Sequence, residues 1–169
     1  MGRYLGVVAA VCSALGLMLG AGASAAETAS LTAAQLETVL REAGLEPVMT
    51  EDAATGAPVA SATLGEVKFF VRALNCDGSP PACENLVFFA NFDLGRAAET
   101  RDFRLVNHFN DSELFGRAYI IERRSEVGIE YVIELGGGVS DDHLSQNVGR
   151  WSDIVQTFVE KFSAGETGA

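Results

Sequence analysis

Positive charge is scarce in this chain: 12 Lys+Arg stand against 23 Asp+Glu, a formal net charge of −11 over 169 residues. Phosphate binding draws on clustered Lys and Arg, so nucleic acid is excluded as a partner class. An anionic membrane surface is disfavoured for the same reason. Histidine is scarcer still, with only His108 and His143. Neither belongs to an H-E-x-x-H pair, no G-x-S-x-G supplies a nucleophile elbow, and no two acids are set apart by their surroundings. Asp141, Asp142 and His143 are adjacent at a helix start and point in different directions, which suits a solvated helix end rather than a metal site. Gly136-Gly137-Gly138 lacks both the G-x-G-x-x-G spacing and the P-loop Lys-Ser/Thr. The sequence therefore predicts no catalytic, cofactor-binding or metal-ligating residue, and no enzyme.

Hydrophobic residues make up 48%, so the acidity is not that of a disordered chain. The first of them form an address. Met1-Gly2-Arg3-Tyr4 precedes fifteen uncharged residues, Leu5–Leu19, and Ala23-Ser24-Ala25 follows, the small-x-small pattern of a secretory leader. The run is short for a membrane span, which needs about 20 residues. Residues 1–25 are expected to be a signal peptide, cleaved after about Ala25. The mature chain then has 169 − 25 = 144 residues and a net charge of 11 − 23 = −12, and no membrane association after cleavage.

The remainder reads as one domain over 31–162, with a short N-terminal tail at 26–30 and a flexible C-terminal tail at 163–169. Thr32-Ala33-Ala34-Gln35 is a capping box with Leu31 and Leu36 placed as its staple. Leu36, Val39, Leu40 and Ala43 form one helical stripe up to Gly44. Pro47–Glu51 and Pro58–Leu64 flank a turn-rich stretch and suggest a hairpin. Alternation in Glu66–Leu74 sets Val67, Phe69, Val71 and Ala73 on one face; Asn85–Phe92 repeats it with Leu86, Phe88, Ala90 and Phe92. Glu99–Asn110 is predicted helical, with Phe103, Val106 and Phe109 as its apolar positions. Strands at Gly116–Glu122 and Val127–Leu135 follow. Ser140 then caps a last helix whose stripe is Leu144, Val148, Trp151, Val155, Phe158 and Phe162. The fold class is α+β, an antiparallel sheet of about five to six strands with N-terminal, middle and C-terminal helices packed on it.

With Cys12 lost in the leader, Cys76 and Cys83 remain, joined by Asp77-Gly78-Ser79-Pro80-Pro81-Ala82. A pair in an exported protein reads as a disulfide. A redox dithiol would usually read C-x-x-C, and two thiolates alone do not make a zinc site.

Asn107-His108-Phe109-Asn110, Phe115-Gly116-Arg117-Ala118-Tyr119, and Gly137-Gly138-Val139-Ser140 before a helix bearing Trp151 together resemble the YbjN-domain family, whose members are described as bacterial sensory transduction regulators. The likeness spans about residues 31–162, and the cysteine loop looks like that of exported members. Phe109 departs from the pattern, where many relatives carry Trp, but an aromatic is kept. The resemblance implies a fold similar to type III secretion chaperones, a bacterial source, and hence a periplasmic or secreted location. It makes Asn107, Asn110, Tyr119, Gly138 and Trp151 structural motif residues and supplies no active site. The expected function is non-enzymatic: a sensory transduction regulator or chaperone-like adaptor that binds another protein, with a homodimer as one form it can take. Phe70 and Phe89, on the less covered sheet face, are the candidate binding surface. The alternative is a periplasmic small-ligand-binding module with a pocket between sheet and helices.

Overall fold

The structure, a computed structural model, describes residues 27–167; the expected leader and its cleavage point lie outside them. Two short strands open the described chain, β1 (Glu27–Thr28) and β2 (Leu31–Thr32). The capping box forms as its residue types require: the Thr32 N–H donates to Gln35 Oε1 at 2.9 Å, and the Gln35 N–H donates back to Thr32 Oγ1 at 3.4 Å. It starts α1 (Ala33–Glu42), which buries Leu36 and Leu40 and ends before Gly44. The hairpin follows as β3 (Val48–Glu51) and β4 (Pro58–Leu64). The two long strands β5 (Val67–Asp77) and β6 (Ala82–Asp93) lead to α2 (Thr100–Ser112). A further hairpin, β7 (Arg117–Ile121) and β8 (Glu126–Glu134), turns through a short 3-10 segment and a left-handed Ser125. The chain closes with β9 (Val139–Ser140) and α3 (Asp141–Thr167).

The main sheet runs β3-β4-β5-β6-β8-β7, antiparallel at every step, with β2 added to the end of β6. One face is core throughout. Phe69, Val71, Leu86, Phe88 and Ile129 are fully buried there, in one cluster with Leu36 and Leu40 of α1, Phe109 of α2, and Trp151 and Phe158 of α3. Trp151 is the hub, its ring centroid 5.7 Å from Phe69 and 5.8 Å from Phe88. All three helices therefore cover the same face, and the α+β class holds. Among the described residues no helix is long and apolar enough to cross a membrane.

Three details differ from the sequence expectation. The sheet has seven strands, because Leu31–Thr32 pairs with Cys83 and Ala82. The segment expected as a loose N-terminal tail is tied at Glu27–Thr28 to Val139–Ser140, and α3 continues past Phe162 to Thr167, with no proline to end it. Phe103 is not a core residue but 42% exposed. It lies six residues before Phe109, about 120° around the helix at 3.6 residues per turn, so a helix that buries the Phe109 side leaves Phe103 outside.

Candidate functional site

Because the helices share one side of the sheet, the alternate residues of β5 and β6 face away from them. Phe70 and Phe89 lie directly opposite across the β5–β6 ladder. Their rings stack at 5.5 Å between centroids and 22° between planes. Lys68 Nζ lies 5.3 Å from the Phe70 ring centre and the Arg72 guanidinium carbon 5.8 Å from that of Phe89, so each ring carries a cation. Both rings are half-buried. Further along the same face, Leu74 is 40% and Val132 45% exposed. The apolar strip thus crosses three strands, bounded on the β8–β7 side by Arg117, whose Nε donates to Glu130 Oε1 at 2.9 Å.

The sheet beneath this strip is held by two of the expected motif residues, Tyr119 and Asn110, whose partners the sequence did not identify. Tyr119 on β7 faces Gly128 on β8; a Cβ at Gly128 would lie 2.3 Å from the Tyr119 ring. Glycine there lets the ring lie across the strands, and its hydroxyl donates to Asn91 Oδ1 at 2.7 Å. Burial, followed by the nearby Glu130 carboxylate, pushes the Tyr119 hydroxyl up to about 12. On the outer edge of β7, the Asn110 side chain takes the place of a neighbouring strand. Its Nδ2 donates to Ala118 O at 3.1 Å and its Oδ1 accepts the Ala118 N–H at 2.8 Å. That closes one sheet edge to strand addition.

Two polar clusters lie on the helix side. Asp102, solvent-inaccessible, accepts both Nη groups of Arg96 at 2.6 and 2.8 Å and the Glu99 N–H at 2.8 Å. The Arg96 hydrogen bonds hold its carboxyl below the usual range against the opposing cost of burial. This pair anchors the first turn of α2. The second cluster joins α3 to β8. The buried Asn147 Oδ1 accepts from the Tyr131 hydroxyl and from Arg150 Nη1 (2.6 Å), while Asn147 Nδ2 donates to His143 O at 2.7 Å. An asparagine at the core position between Leu144 and Trp151 was the available signal for it. The Arg150 guanidinium also stacks on Phe115, 4.2 Å from its centre.

The remaining motif residues play different parts. Trp151 is core, Gly138 has φ +91° in the turn before β9, and Asn107 is exposed on α2. His108 and His143 are both exposed and lie on different helices. Among the described residues no three His, Cys, Asp or Glu side chains group as a metal site. Cys76 and Cys83 are directly opposed in the β5–β6 ladder, their sulfurs 2.13 Å apart. The motif residues Asn110, Tyr119 and Trp151 thus frame the sheet without converging on one point, and Phe70 and Phe89 alone among the expected site residues form a surface.

Comparison with known proteins is consistent with this architecture. The family model YbjN, described as "Putative bacterial sensory transduction regulator", matches residues 32–164. Among solved structures the chain is similar to YbjN from E. coli, described as "a putative transcription regulator": TM-score 0.56, 11% identity, covering 80% of this chain and 94% of that one. At that identity the likeness speaks for the fold alone. No curated protein sequence matches the chain.

Proposed function

This chain belongs to the YbjN family, and we propose that it is an exported, non-enzymatic regulator or chaperone-like adaptor that works by binding another protein through its open sheet face. The observation that carries the reading is the stacked Phe70–Phe89 pair at the centre of a face that no helix among the described residues covers. Large apolar side chains placed in the middle of an open sheet, continued by Leu74 and Val132, are surface that association would bury. Lys68 and Arg72 over the two rings favour a partner surface with acidic groups at its rim. Export is supported by the leader-like residues 1–25 and by two opposed cysteines in bonding geometry, which an oxidising compartment would keep joined. The small-ligand reading fares less well, because the space between sheet and helices is filled by the Trp151, Phe69 and Phe88 rings.

The test is affinity capture from periplasmic extract with wild-type protein and with the double variant Phe70→Ser, Phe89→Ser. A partner retained by the first and lost by the second, with both proteins folded, supports the reading. Light scattering reports whether the partner is a second copy. Equal capture by both baits, or a monodisperse monomer with no partner, refutes it. Intact mass of the exported protein separately tests cleavage after Ala25, and retention of residues 1–25 would overturn the leader.

A further inference from the structure

We propose that the groove beside the α2–β7 loop binds the free C-terminal carboxylate of a partner protein whose last residue is apolar, with Arg150 as the anion anchor. The proposal rests on the reading of this chain as a protein-binding module, but uses a surface on the opposite side of the sheet from Phe70 and Phe89. The groove has a volume of about 410 Å³ and is lined by Glu113, Leu114, Phe115, Arg150, Asp153 and Ile154, among others. Such a volume suits a chain end rather than a long segment.

Arg150 is the reason to expect a carboxylate. The chain carries eleven more acids than bases, and Arg41, Arg96, Arg101, Arg117 and Arg124 each sit against one. Arg150 does not: among the described residues its partners are the Tyr131 hydroxyl at 3.1 Å, Asn147 Oδ1 at 2.6 Å and the Phe115 ring. The two hydrogen bonds use Nη1 only. The Nε and Nη2 groups, which form the side-on fork that takes a carboxylate bidentately, have no protein acceptor among the described residues. Two hydrogen bonds and the Phe115 ring 4.2 Å away hold the guanidinium in place, so little ordering remains to be done on binding.

The neighbouring side chains select the rest of the ligand. Leu114 is 93% and Phe115 46% exposed, one wall of the same groove. The loop that presents them is held by Gly116, at φ +82°, where a Cβ would lie 2.7 Å from Ile154 Cγ2 of α3; only glycine allows that approach. A C-terminal residue carries its carboxylate and its side chain on one Cα, so an apolar one meets Arg150 and this wall together. Glu113 is engaged by Lys161. Asp153 remains in the groove and opposes any anion there, a dianion such as a phosphate monoester about twice as strongly as a single carboxylate.

The test titrates isotope-labelled, folded protein with acetyl-Ala-Leu bearing a free carboxylate and with its C-terminal amide, read by chemical shifts at residues 113–116 and at the Arg150 Nε. Saturable binding of the acid is expected, with the amide weaker by at least about tenfold. Arg150→Lys, checked by its melt, should weaken the acid by about tenfold because it keeps the charge and loses the fork. The Phe70→Ser, Phe89→Ser variant should bind as wild type. Equal binding of acid and amide overturns the carboxylate anchor, and inorganic phosphate binding more tightly than the acid overturns the choice of ligand. Free leucine binding more tightly than the acetylated dipeptide would point instead to an amino-acid site with Asp153 on the ammonium. Absence of binding up to about 10 mM, well above a weak-complex Kd, sinks this proposal and leaves the capture experiment to judge the aromatic face.

Discussion

Replacing Trp151 by alanine tests the packing that keeps the open sheet face in place. The indole is solvent-inaccessible and touches Phe69 and Phe88, the inward neighbours of Phe70 and Phe89. A tryptophan buries roughly 150–250 Å². Taking about 150 Å² as lost beyond what alanine keeps gives about 4 kcal/mol at ~25 cal/mol per Å². Two tilted ring contacts add about 0.5–1.5 kcal/mol each. Against them, Nε1 is buried without an acceptor, and deleting that orphan donor returns about 1–3 kcal/mol. The last two effects nearly cancel, leaving about 4 kcal/mol, inside the range of about 3–5 kcal/mol for tryptophan-to-alanine changes in packed cores. Trp151→Phe keeps a ring against both neighbours and removes the orphan N–H, so its cost should stay below about 1.5 kcal/mol. The assay is urea unfolding followed by far-UV circular dichroism, because Trp151 is the one tryptophan and its fluorescence disappears with it. The m-value should be unchanged. An alanine variant within about 1 kcal/mol of wild type, or a phenylalanine variant as damaged as alanine, would refute the placement of this ring at the hub.

Four further outcomes are expected. Asn110→Ala leaves the outward N–H and C=O of Ala118 to water, costing about 1–2 kcal/mol and opening the β7 edge; light scattering should show concentration-dependent association beyond that of wild type. Tyr119 should titrate near 12 by ultraviolet absorbance. Since its folded value is raised, its contribution to stability is complete below the unfolded value of about 10 and is lost as pH rises from there toward 12; a normal Tyr titration would contradict the burial of its ring. Asp102→Ala removes the buried half of a bidentate pair whose arginine is 26% exposed and should cost about 1.5–3 kcal/mol. Its carboxyl is lowered, so that stability is present above the unfolded value of about 3.9 and lost as pH falls below it; Asp102→Asn should flatten that acid limb, and an unchanged acid melt would refute the role. If Cys76 and Cys83 are joined in the exported protein as proposed, reduction removes closure of an eight-residue loop, worth about 2.5 kcal/mol on the chain-entropy model; a reductant-insensitive melt would exclude that contribution.

Local features were legible because their causes are local. The Thr32–Gln35 box, the two-residue alternation of β5 and β6, and the stripe from Leu144 to Phe162 each depend on residues a few positions apart, and each element forms where its pattern places it. Phe103 shows the limit of such reading: a spacing of three and then three more residues looks helical, yet drifts around the helix. The candidate surface was legible in kind, since Phe70 and Phe89 occupy the polar phase of their strands. That they stack on each other required the β5–β6 register.

The sequence alone determined the acidic balance, the leader-like start, the order of helices and strands, and which residues of each are apolar, all properties carried along the chain. The tertiary structure decided what long-range pairing brings together. It placed all three helices on one side and so bared the other. It brought Asn110 onto the β7 edge, let the Tyr119 ring lie on Gly128 and reach Asn91, and left Arg150 held by Tyr131, Asn147 and Phe115 with no ion pair to an acid among the described residues. None of these pairs is close in the chain except through a hairpin or a helix turn, and a hydrogen bond or a ring contact exists only once folding has set both partners a few ångströms apart.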